Sequence, residues 1–185
     1  MRLFLASGFS APVIERVKEI QAYAAPRLGK AVKWVEPENI HLTYIFLGET
    51  PEALAPAVIR GAERCAGLFK RLEVSLAGLG AFPCLESPRV LWLGLKEDRP
   101  GTLKELALRL SEALAAQGLK FETRFEPHIT IGRLKARPDP AVIAELRGRA
   151  AALEGRSVIG SVEVMESRLT AAGPAYAALS SARLL

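Results

Sequence analysis

The chain is poor in the residues that most often carry chemistry: 185 residues include two histidines, two cysteines, one asparagine (Asn39) and two glutamines (Gln21 and Gln117). Cys65 and Cys84 lack CxxC spacing, so the sequence specifies neither a metal ligand set nor a disulfide framework, and the thiols can as well be free as paired. HExxH, GxSxG and GxxxxGK[ST] are all missing, which removes the usual signatures of zinc hydrolysis, a serine elbow and a Walker-type nucleotide site. Gly78-Leu79-Gly80 is a fragment of a dinucleotide fingerprint; Pro83 and Pro88 stand where its helix should follow, and it reads as a turn. The apolar part of MRLFLASGFS is too short for a signal peptide or a membrane span, so a cytoplasmic protein without a membrane partner is expected. Scarce amides are what a heat-stable or GC-biased origin would leave.

What remains is an ordinary globular composition, 50% hydrophobic, long enough to bury roughly 70% of the unfolded surface in one domain spanning 1–185. A net charge of +5 favours polyanionic partners, although a mildly basic surface also serves solubility.

The two histidines sit in matching contexts. Ile40 to Gly48 reads IHLTYIFLG and Pro127 to Arg133 reads PHITIGR, each with a threonine two residues after the histidine on an apolar strand. Positions i and i+2 share a strand face, so His41 points with Thr43 and His128 with Thr130, while Leu42, Tyr44 and Phe46 are expected to turn into a core. With six threonines in the chain, both histidines would acquire one at this spacing by accident about once in a thousand on composition alone. One such histidine could be a hydrogen-bonded structural residue; the doubled pattern points to chemistry.

The histidines lie 87 residues apart, and the same step carries Arg2 to Arg89 and Pro51 to Pro138. This reads as a diverged duplication with lobes of approximately 1–87 and 88–185, whose pairs would face one another across a cleft. In the first half a strand at Arg2 to Ala6 precedes a helix capped by Ser10 and stopped at Pro26, then a strand at Ala31 to Val35 and a turn at Pro37-Glu38-Asn39 before the His41 strand. A helix from Pro51 to Gly67 and a strand from Leu72 to Leu79 follow. The second half repeats the order: a strand at Val90 to Leu95, a helix from Gly101 to Gly118 with a Leu103, Leu106, Leu110, Leu114 stripe, a short Lys120 to Arg124 segment, the His128 strand, and a helix from Pro138 to Leu153. Strands at Val158 to Leu169 and Ala175 to Leu184 close the chain. So many strands imply an α+β protein with mixed or antiparallel sheets and helices on their outer faces.

Two imidazoles across a cleft suit phosphodiester displacement without a metal: a neutral ring takes a proton from the attacking oxygen, and a protonated ring gives one to the departing oxygen. With both near the ordinary value of ~6.5, roughly a fifth of molecules at pH 7 would hold the required combination. Thr43 and Thr130 can donate hydroxyls to non-bridging phosphate oxygens.

WVEPENIHLTYIFLGE (Trp34 to Glu49) and FEPHITIGR (Phe125 to Arg133) resemble the two signature motifs of the 2H phosphoesterases, and most closely those of the RNA 2',3'-cyclic phosphodiesterase branch, historically called 2'-5' RNA ligase. SRLTAAGPAYAAL is similar to that branch's closing hairpin. The resemblance implies a bilobal, duplicated α+β fold with both motifs lining a central cleft, no cofactor and no metal. It also implies His41 as general acid toward the 3' oxygen and His128 as the base activating water, with RNA or a nucleotide ending in a 2',3'-cyclic phosphate as partner and reversible ligation accessible to the same site. The alternatives are a relative acting on another cyclic or linear phosphodiester and a non-catalytic RNA-binding module. The oligomeric state is not specified, a monomer being the default.

Arg133, Lys135 and Arg137 alternate after the second motif and would form a basic edge for RNA phosphates, although strand parity sets Arg133 opposite His128 unless a bulge intervenes. Trp34 and Phe46 can stack on a base or pack in the core, with core packing favoured, and Lys33 lies near the first motif without a defined role.

Overall fold

Apolar residues at helical spacing build four helices: α1 (Ala11–Leu28), α2 (Ala55–Ala66), α3 (Thr102–Ala115) and α4 (Pro140–Ala151). The computed structural model describes residues 1–122, 124–171 and 173–185; Thr123, in the segment before the second motif, and Ala172, in the closing hairpin, lie outside the described residues. Ser10 stands at the start of α1 without capping it through its side chain; its hydroxyl donates to the Arg156 carbonyl at 3.4 Å. Pro26 does not stop α1, which continues one turn to Gly29, where φ of +53° suits a residue without Cβ. Asp139 caps α4, accepting from the Ala141 N–H at 2.8 Å.

The strands are β1 (Arg2–Ser7), β2 (Val32–Trp34), β3 (Leu42–Glu49), β4 (Leu72–Phe82), β5 (Val90–Glu97), β6 (His128–Leu134), β7 (Arg156–Ile159), β8 (Ser161–Thr170) and β9 (Gly173–Arg183). They form one sheet, ordered β7-β4-β5-β6-β3-β1-β8-β9, with β2 attached to β6, and every ladder among the described residues is antiparallel. The two expected sheets are therefore continuous, joined where Leu42 of β3 pairs with Ile129 of β6. The strand expected from Val158 to Leu169 is divided at Gly160: β7 pairs with β4 and β8 with β1. One residue thus links strands near opposite ends of the sheet, so the sheet must curl until those ends approach.

Helices cover the outer surface in two pairs. Leu42, Val58, Leu106 and Val162 belong to a core under α2 and α3; Val17, Leu91, Ile129 and Leu146 belong to a second under α1 and α4. Each core draws on both halves of the sequence, so packing does not divide the chain at residue 87.

Gly78 is not in a turn. Its φ of +79° falls inside β4, where Leu76 pairs with Leu95 but Leu79 with Leu93, a bulge of one extra residue. The 87-residue step is also not uniform. Phe4 faces Phe46 in one half and Val90 faces Arg133 in the other, so β1 and β5 correspond with an offset of 86, and Arg2 and Arg89 are not structural counterparts.

Candidate active site

Leu42 and Ile129 are fully buried, one in each core. Strand alternation then turns their neighbours to the opposite face, and His41, Thr43, His128 and Thr130 all line one cleft of about 580 Å³. Extending the register of the Leu42 and Ile129 pair sets His41 beside Thr130 and Thr43 beside His128. The histidines occupy one diagonal of this square, a relation that spans about 7–8 Å in an antiparallel ladder. They therefore stand on adjacent strands of the cleft floor and not on facing walls.

Both rings are oriented in the same way. His41 Nδ1 lies 2.6 Å from the Asn39 carbonyl, and His128 Nδ1 lies 2.6 Å from the Glu126 carbonyl, each two residues upstream. A carbonyl only accepts, so Nδ1–H donates in both rings and Nε2 is left to exchange protons. Aromatic side chains hold the rings from the side. His41 meets Phe4 at 5.2 Å and the edge of Tyr176 at 5.5 Å; His128 meets Phe82 edge-on at 5.0 Å and Trp92 at 5.9 Å. Burial pushes both imidazoles below their ordinary value. The Asn39 carbonyl partly offsets this at His41, where a charge on His128 adds to the lowering; at His128 the Glu126 backbone and carboxylate oppose burial while Arg133 reinforces it. The combination of one charged and one neutral ring at pH 7 is accordingly rarer in the free protein than unperturbed histidines would give.

A bulge corrects the strand parity in each motif. Across β1, Leu5 faces Ile45 but Ala6 faces Thr43, so Tyr44 is the extra residue and turns inward with Ile45. Phe46 is thereby brought to the cleft, where it is 50% exposed and stacks on Phe4 at 5.4 Å with an 11° tilt; core packing does not claim it. Across β5, Leu91 faces Gly132 but Trp92 faces Thr130, so Ile131 is the extra residue and Arg133 swings to the cleft side with His128. The basic edge does not extend further. β6 ends at Leu134, Lys135 is not among the lining residues, and Arg137 donates to the Glu86 carbonyl at 2.9 Å.

Trp34 combines both of its expected roles, packing at the second core while lining the cleft. Its ring lies over Gly132, where a Cβ would come within 2.9 Å of it. Tyr176, Phe4, Phe82 and Trp92 are the site residues that motif reasoning missed. Tyr176 was within reach, since it sits in the closing hairpin segment. The other three come from β1, β4 and β5, and only the sheet order and register bring them to the histidines.

No helix among the described residues is long and apolar enough to cross a membrane. The family described as the 2'-5' RNA ligase superfamily matches residues 9–170. The chain is similar to an RNA 2',3'-cyclic phosphodiesterase of Archaeoglobus fulgidus, with 37% identity over 95% of this chain and 96% of the relative. A protein of the same name from Methanothermobacter thermautotrophicus is 31% identical over 100% and 99% of the two chains. Among solved structures, one from Thermus thermophilus aligns with a TM-score of 0.82 at 29% identity, covering 100% of this chain and 98% of that one. E. coli LigT in complex with 3'-AMP aligns with a TM-score of 0.77 at 26% identity, covering 99% and 97%.

Proposed function

Because the chain belongs to the 2'-5' RNA ligase superfamily, we propose that it hydrolyses the 2',3'-cyclic phosphate termini of RNA or nucleotides to 2'-phosphates by acid–base catalysis between His41 and His128, without a metal. His128 Nε2 removes a proton from water as the water oxygen attacks phosphorus. The bond from phosphorus to the 3' oxygen breaks, and that oxygen takes its proton from His41. The product carries a 2'-phosphate and a free 3'-hydroxyl, with the two rings in exchanged protonation states that solvent resets. The hydroxyls of Thr43 and Thr130 donate to the non-bridging oxygens as charge builds there. With a 5'-hydroxyl in place of water as the nucleophile, the same steps join two RNA ends through a 2'-5' linkage, and their reverse, attack of the 3'-hydroxyl on that linkage, cleaves it again.

The observation that carries this reading is the matched pair of imidazoles, each tied through Nδ1 to a backbone carbonyl two residues upstream, each with Nε2 free, in one cleft. The negative phosphate raises both ring values on binding and so restores the proton that burial disfavours in the free protein. Arg133 adds a cation for RNA phosphate, and the curated relatives carry the name of the same activity.

The test is turnover of 2',3'-cyclic AMP and of RNA ending in a cyclic phosphate, with EDTA present. His41→Ala and His128→Ala should each lower kcat by about 10²- to 10⁴-fold. Activity that survives both changes, or that requires a metal, overturns the mechanism, and RNA binding without turnover would identify a binding module. Phosphorus NMR reads the isomer: a 3'-phosphate would mean that the acid serves the other oxygen.

A further inference from the structure

Lys33 of β2 stands directly opposite Arg133 of β6 in the β2–β6 ladder, and both line the cleft. Like charges placed opposite one another across a ladder repel, and sheets usually avoid the arrangement or neutralise it with a carboxylate. Here neither cation makes an ion pair within 4.0 Å among the described residues, although Glu36 and Glu38 line the same cleft. The β8–β9 hairpin also reaches the pair: a Cβ built on Gly173, at its turn, would lie 3.3 Å from Lys33 Nζ. Two exposed cations held side by side, one of them beside a hairpin, would be neutralised together by a single anion.

The pair is centred further along β6 than the histidine and threonine side chains, with Arg133 still close enough to His128 to act on its charge. Lys33 and Arg133 lie three residues along β6 from Thr130 and five from His128, beyond the Ile131 bulge. A 2',3'-cyclic phosphate ends its strand, so any additional phosphate of the substrate lies on its 5' side. We propose that Lys33 and Arg133 form a second phosphate subsite, which takes the phosphodiester one nucleotide upstream of the cyclic end and gives the cleft a preference for RNA ends over mononucleotides. This rests on the proposed function for the identity of the terminal group, while its own content, a second anion site, can be read by binding alone.

The experiment measures equilibrium affinity of the full chain for 3'-AMP and for the dinucleotide ApAp, which adds one phosphodiester, across a series of salt concentrations. The native protein should bind ApAp more tightly, with a salt slope steeper by about 0.7 for the extra phosphate contact. Lys33→Gln, which keeps most of the aliphatic stem of an exposed residue, should reduce the preference for ApAp by about tenfold, the effect of one charge-assisted hydrogen bond. It should also flatten the slope, and Lys33→Arg should restore both. An unchanged preference and slope in Lys33→Gln overturns the subsite. So does equal weakening of both ligands, which would place Lys33 on the terminal phosphate. Absence of turnover in the native protein would remove the proposed function and leave this binding result standing on its own.

Discussion

Phe46 and Arg133 occupy matching places in the two motif strands: each follows its histidine by five residues, each lies two residues past a bulge, and each reaches the cleft. One is an aromatic ring and the other a guanidinium, so the two sides of the site are chemically unequal although their histidines are alike. Under the proposed function, that inequality would orient a nucleotide with its base toward the ring and its further phosphates toward the cation.

Phe46→Ala should therefore act on binding. Loss of a base–aromatic stack costs about 1–3 kcal/mol, so affinity for 3'-AMP and KM for 2',3'-cyclic AMP should both weaken while kcat stays within a few-fold. A fall in kcat with KM unmoved would show that the ring supports the catalytic geometry and does not hold a base.

The lowered imidazole values set a pH signature. The kcat/KM profile reports the free protein, where both rings lie below their ordinary ~6.5, so its maximum should fall under pH 6.5. The kcat profile reports the complex, where the phosphate raises both rings, and its maximum should lie at higher pH. Stability follows the same shift. The unfolded chain takes up protons first as pH falls, so the contribution of the neutral rings is complete above about pH 6.5 and is lost as pH drops through the folded values. Coincident kcat and kcat/KM maxima above pH 7 would contradict this, and urea titrations of native protein and His41→Ala across pH 5 to 8 would check the stability part.

Gly80 leaves the space that the indole of Trp92 fills; a Cβ there would fall on the ring itself. Trp92 in turn packs against His128 and Phe82. Gly80→Ala should destabilise by about 1–3 kcal/mol through overpacking and lower kcat more than it raises KM, because the displaced ring pushes on His128. Trp92→Phe, which removes a buried indole N–H that has no acceptor among the described residues, should be the milder change. Thermal melts with steady-state kinetics on both variants would check the order.

Much of the site was legible because it is written locally. Apolar periodicity placed all four helices, and alternation put His41 with Thr43 and His128 with Thr130 on common faces. Parity failed at Phe46 for a physical reason: one inserted residue, Tyr44, reverses the side chains that follow it as far as a second irregularity at Leu47, and a bulge leaves no mark in a continuous apolar run. For Arg133 the same reasoning named the bulge as the condition for reaching the cleft, and Ile131 supplies it. The pairing of Leu42 with Ile129, the division at Gly160 and the aromatic flanks of the histidines all depend on which strands become neighbours, information that a linear pattern does not carry.

Neither packed core can be completed from one half of the chain, since α1 lies with α4 and α2 with α3. Cleaved between residues 87 and 88, the protein should yield two pieces that stay unstructured apart and regain a common melting transition when mixed. The two histidines then become a property of the reunited pair: each fragment brings one, and activity returns only with reassembly.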